Sequence, residues 1–137
     1  MNIQSALKHQ YHAALQTLRL AIERCPDALW NHSQRGCAPF WRVAYHTLFF
    51  THMYLQQNRK QFRPWDKHRK GINNLGRTST AKPSEPVRPY TRNQILEYWR
   101  ICDNAIDAGV DALDLNTENG TVMTVPFNLL SRLICPS

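Results

Sequence analysis

His46 stands in the run WRVAYHTLFF, Trp41 to Phe50, with aromatic and aliphatic residues on both sides. An imidazole in so apolar a setting requires a hydrogen-bond partner or a metal ion to satisfy it. Its chemistry is therefore that of a metal ligand or of a hydrogen-bonded core residue. A zinc-type centre ordinarily takes three or four protein ligands at about 2.0–2.3 Å, so His46 alone builds no strong site.

The other residues with chemical potential are scattered. Asp103, Asp107, Asp111 and Asp114 form an acidic edge at steps of four and three. Like charges at such spacing cost a few tenths of a kcal/mol unless a cation offsets them, and a solvated flank paired with Lys or Arg from a neighbouring element is the expected reading. His9 and His12 share a helical side that points away from the apolar face of their helix and are expected at the surface. Cys25, Cys37, Cys102 and Cys135 form no C-x-x-C pair and no regular framework, so reduced thiols are expected. No Cys/His spacing is diagnostic of a nucleophile, and Cys102 falls on a core stripe where a thiol acts as a small apolar side chain.

Arg59, Lys60, Arg63, Lys67, Arg69 and Lys70, opposed only by Asp66, concentrate the positive charge of a chain whose net charge is +7. Phosphate binding is one reading of that stretch and a solvated loop the expected one, so nucleic acid is not an expected partner. Trp65, Lys67, His68 and Arg69 are read as packing of the loop against the body. Phosphate-cradling glycine motifs are absent.

The elements that must position these groups read as helices. From Ile3 to Ile22 the apolar residues recur at three- and four-residue steps, the period of one helical face. Pro26 ends that helix, and Pro26 to Trp30 suggests a turn or a one-turn helix. A second helix is predicted from about Pro39 to Gln57, with Val43, His46, Phe50 and Met53 on one stripe and Trp41, Ala44, Tyr45, Leu48, His52 and Leu55 opposite. A helix apolar on two sides is central in its domain or shared with a subunit interface. Asn58 to Pro89 lacks any period, and its length requires that it be functional or ordered by packing, for which Trp65, Ile72 and Leu75 supply the means. Thr91 with Gln94 is a capping-box pair. Behind it Ile95, Trp99, Cys102, Ile106, Val110 and Leu113 mark a third helix. Pro126 to Ile134 reads as the start of a fourth.

At 137 residues, with 42% apolar and 20% charged residues, the chain matches one packed domain, residues 1–137. No signal-like start and no apolar run of about 18 residues is present. A cytoplasmic protein without a membrane partner is expected.

Three separated pieces resemble one branch of the DinB-like (YfiT-like) superfamily: PFWRVAYHTLFFTHMYL, PWDKHRKGINNLGR and PYTRNQILEYWRIC. The resemblance covers about Pro39 to Leu115. It implies an all-α, up-down-down-up four-helix bundle with a long loop between the second and third helices. It further implies a frequent homodimer and a divalent metal, nickel or zinc, bound by three histidines in thiol-transferase or hydrolase-like chemistry. His46 occupies the position of the first metal ligand, and the other two belong to an H-x-x-x-H pair on the last helix. No histidine follows His68 here, and Cys135-Pro136-Ser137 interrupts the last helical pattern.

The resemblance therefore implies a truncated last helix, an incomplete site and a catalytically incompetent chain with metal binding weak or absent. Substrate, thiol or otherwise, is not legible. About five large apolar side chains would lose their cover, at roughly 1.5–3 kcal/mol each, which favours a homodimer. A noncatalytic dimerisation or binding module is the alternative function, and a basic-loop nucleic-acid binder the third.

Overall fold

The computed structural model describes residues 2–34, 36–56, 59–75 and 87–113. Their regular structure is helical: α1 (Ile3–Arg24), α2 (Asp27–Trp30), α3 (Phe40–Tyr54) and α4 (Arg92–Asp111), with a 3-10 turn at Arg59–Gln61 and no strand among the described residues. The all-α expectation holds at this level. The predicted fourth helix, Pro126 to Ile134, lies outside the described residues, as does Asp114.

Local chemistry accounts for the boundaries. The Asn2 side chain caps α1 by accepting from Ser5 N at 3.3 Å. That helix ends at Arg24 and leaves Cys25 outside it, because a proline disfavours the helical conformation of the residue preceding it. α4 opens with both halves of the predicted capping box: Thr91 Oγ1 accepts from Gln94 N at 3.2 Å, and Gln94 Oε1 accepts from Thr91 N at 2.9 Å.

Cross-helix contacts fix the directions. Trp99 Nε1 donates to Leu15 O at 2.6 Å near mid-helix, Lys8 Nζ meets Asp111 Oδ1 at 2.7 Å at one end, and Arg92 donates to Ile22 O at the other, so α1 and α4 are antiparallel. α3 and α4 are parallel. Trp41 meets the Tyr90 ring at their starts, Cys102 Sγ donates to Leu48 O at 3.5 Å midway, and Gly109 lies against Leu55 at their ends. The order is up-down-down for α1, α3 and α4. A parallel pair requires its connection to return along the whole of α3, roughly 22 Å at 1.5 Å per residue, and this is the physical reason for the long segment between Leu55 and Tyr90.

Aromatic side chains dominate the core. Trp41, Tyr45, Tyr90 and Tyr98 are buried together with Ile22, Leu48, Ile95, Cys102, Ile106 and Val110. On α3 the inward face is Trp41, Ala44, Tyr45, Leu48 and Phe49, while Val43, His46, Phe50 and Met53 form a half-buried second face. The loop adheres as expected through Trp65 and Ile72, both buried, with Leu75 half-buried.

One expectation is corrected. Cys25 and Cys102 are free thiols, but Cys37 is disulfide-bonded. C-x-x-C is only one of the spacings at which cysteines pair, so its absence did not exclude a disulfide.

Candidate functional site at His46

The helical period turns His46 roughly 100° from its buried neighbour Tyr45, onto the flank of α3 that faces the Gly71–Asn74 turn. Its Nδ1 lies 2.6 Å from the main-chain oxygen of Asn73. A carbonyl only accepts, so Nδ1 carries the proton and donates. In the neutral ring the lone pair is then on Nε2, for which no partner occurs among the described residues. The ring packs against Phe50 with centroids 4.6 Å apart.

Arg42, one turn earlier, holds the same segment. Its Nε donates to Asn74 O at 2.7 Å, and its Nη2 to Asn74 Oδ1 at 2.9 Å and Gly71 O at 3.4 Å. Gly71 has φ +83°, a left-handed conformation that glycine adopts without steric cost. Arg42 is partly desolvated, which lowers its pKa from the ordinary value, yet a guanidinium stays charged in proteins.

Behind His46 lies an aromatic network of which the sequence pattern puts Tyr45 on the inward stripe and Trp65 and His68 in the packing of the loop, but misses the buried Tyr90 and Tyr98. Tyr45 Oη and His68 Nδ1 are 2.5 Å apart, and Trp65 stacks on Tyr98 at 4.8 Å with the planes 4° from parallel. Tyr90 Oη donates to Lys67 O at 2.6 Å and accepts from Arg69 N at 3.1 Å. Desolvation raises the pKa of Tyr45 and lowers that of His68, so both are neutral at pH 7. His52, 3.0 Å from Tyr98 Oη, is likewise pushed down by burial. Burial pushes Cys102 up to about 12. A buried, protonated thiol is no nucleophile, and Cys102 is core as expected.

The acidic edge of α4 is paired with α1. Asp111 takes Lys8, the kind of partner expected. Asp103 and Asp107 instead take His12, whose Nδ1 and Nε2 lie 2.7 Å and 3.0 Å from their carboxylate oxygens. Hydrogen bonds to Asp107 and then Asp103 raise the His12 pKa. Predicted as a surface residue, His12 is an interhelical tie. His9 is exposed. The basic stretch is partly absorbed into structure: Lys67 Nζ reaches both carboxylate oxygens of Glu97 at 2.8 and 2.6 Å, and the Arg69 guanidinium lies 4.0 Å from the Tyr90 ring centroid while donating to Arg88 O.

No protein-family model, no curated protein and no solved structure matches this chain.

The donor set decides how far a metal fits. An imidazole whose Nδ1–H is held by a carbonyl and whose Nε2 bears the lone pair has the usual orientation of a metal ligand. His46 thus fits one coordination position. No group of three or more His, Cys, Asp or Glu placed to hold a metal occurs among the described residues, so these residues do not supply the rest of a centre. Asn73 was not legible as the partner of His46, nor Gly71 and Asn74 as those of Arg42, because the sequence does not say which loop carbonyl lies over a helix.

Proposed function

We propose that the chain is a DinB-like helical-bundle protein of the thiol-transferase and hydrolase-like superfamily, in which His46 offers one imidazole to a nickel or zinc ion. The observation that carries the reading is the hydrogen bond from His46 Nδ1 to Asn73 O at 2.6 Å, which leaves Nε2 as a ligand nitrogen. The up-down-down run of α1, α3 and α4 supports it as well, being the first part of the order that the resemblance implies. A bound divalent ion would lower the pKa of a coordinated thiol or water. What the chain itself contributes is a ring of fixed tautomer against Phe50, beside a core that keeps Tyr45, His68 and Cys102 neutral.

The test is calorimetric titration of metal-free protein with Zn²⁺ and Ni²⁺, repeated on His46→Ala. Weak saturable binding that disappears in the variant is expected. Binding that survives the substitution unchanged, or none at all in the parent protein, overturns the reading.

The half-buried face of Val43, Phe50 and Met53 favours a second reading, a dimerisation module that pairs two copies without catalysis. Light scattering across a dilution series distinguishes it: a dimer that persists on dilution supports it, and a monomer at every concentration removes it.

A further inference from the structure

Arg42 and His46 stand one turn apart on α3 and close on the same short segment from the same side. Arg42 takes Gly71 O, Asn74 O and Asn74 Oδ1, and His46 takes Asn73 O. The Asn73 carbonyl is therefore bracketed on both sides by groups that the guanidinium holds. The buried Ile72 side chain fixes the turn on its apolar side, and Ile72 N donates to Arg69 O at 3.2 Å. Gly71 at φ +83° permits the reversal.

We infer that Arg42 is the positioning residue for His46: by clamping Gly71–Asn74 it presents the Asn73 carbonyl to Nδ1 and keeps the imidazole in the Nδ1–H tautomer. A neutral imidazole free in water favours the proton on Nε2. The opposite tautomer requires an acceptor held in place against Nδ1, and a main-chain carbonyl on a turn meets that need only while the turn is fixed. A planar fork reaches several oxygens at once where an ammonium is a single point of charge, so lysine at this position replaces the clamp in part only.

The functional weight of the inference rests on the reading of His46 as a ligand, whereas the tautomer is measurable without any metal. Long-range ¹H–¹⁵N correlation spectra of metal-free protein, recorded well above the ordinary imidazole range, report which ring nitrogen bears hydrogen. In the parent protein His46 is expected as Nδ1–H. Arg42→Ala is expected to move the majority to Nε2–H while the His12 and His52 signals keep their positions, with Arg42→Lys between the two. Zinc or nickel binding should weaken about tenfold or more in the alanine variant, the usual consequence of losing an outer-shell partner.

A folded Arg42→Ala protein that keeps the parent His46 pattern overturns the inference. Should that variant fail to fold, Arg42→Lys carries the same test, and an unchanged His46 pattern there overturns it equally. Failure of the parent protein to bind metal, with the tautomer shift intact, removes the proposed ligand role and leaves the positioning role standing.

Discussion

His46 and His12 are two imidazoles on two seams of one bundle, and they differ in what their nitrogens meet. His46 spends Nδ1 on a neutral carbonyl at the α3–loop seam and retains a lone pair. His12 sits at the α1–α4 seam with each nitrogen against a carboxylate oxygen, an arrangement that only an imidazolium satisfies as a double donor. The first is suited to a ligand role and the second to an ion-pair tie. The residue type did not decide this; the acceptors did.

The comparison breaks most violently if one seam is dismantled. Trp65 is buried, stacks on Tyr98 and pins the loop that continues into the Gly71–Asn74 turn. Trp65→Ala should cost about 3–5 kcal/mol of stability, the range for removing a large core aromatic. Chemical denaturation gives the number, and ¹H–¹⁵N spectra of the folded fraction should show His46 perturbed and His12 unchanged. Equal perturbation of both rings would mean that the seams are not independent.

Metal titration is the direct test of the difference between the two rings. His46→Ala should abolish Zn²⁺ or Ni²⁺ binding, and His12→Ala should leave it within about twofold, because both nitrogens of His12 are already engaged by Asp103 and Asp107 and leave no lone pair for a metal. Calorimetry on the two variants side by side checks this. Metal binding that depends on His12 would reverse the assignment.

Helix positions and the aliphatic part of the core were legible because they follow from periodicity and capping, which are local, whereas buried Tyr90 and Tyr98 were not picked out. α1, α3 and α4 begin within a residue of their predicted starts, and Thr91 with Gln94 caps as read. The inward stripe of α3 was legible too, with Phe49 the addition. The partners of His46 and His12 were not, since each depends on tertiary placement. Asn73 reaches His46 only because the parallel pairing of α3 and α4 forces the connection back along α3. His12, read as pointing away from the apolar face of α1, meets Asp103 and Asp107 because α1 and α4 pack antiparallel with their flanks in register. Likewise Tyr45 and His68 stand 23 residues apart, and no spacing rule pairs them.

Two glycines sharpen the α3 seam at smaller cost. At Gly71 an added Cβ meets nothing within 4 Å, so Gly71→Ala carries only the penalty of a left-handed backbone at φ +83°, about 1–2 kcal/mol. That loss should appear together with weakened hydrogen bonding at His46 Nδ1. At Gly109 a Cβ would lie 3.0 Å from both Leu55 Cβ and the Leu55 oxygen, so alanine there pushes the end of α4 off α3 while leaving the turn in place. Comparing His46 spectra in the two variants shows whether the tautomer depends on the turn alone.

The smallest effect lies at the other seam and is read by pH. Asp103 and Asp107 on α4 face His12, while Lys8, one turn away on α1, is taken by Asp111. The His12 pKa is raised from 6.5 in the folded protein. A raised folded pKa contributes stability that is fully present below the unfolded value and is lost as pH rises through the folded one. The tie therefore weakens above pH 6.5 as the ring loses its second proton. The His12 side chain is 38% exposed and that of Asp107 65%, so solvent screening holds the contribution to the surface-pair range, roughly 0.2–1 kcal/mol. Urea unfolding at pH values on either side of this window should show the parent protein losing more stability than His12→Gln, with added salt narrowing the gap. Equal losses in the two proteins would show that His12 is not acting as a charged tie, and the contrast with His46 would then rest on geometry without a difference in charge.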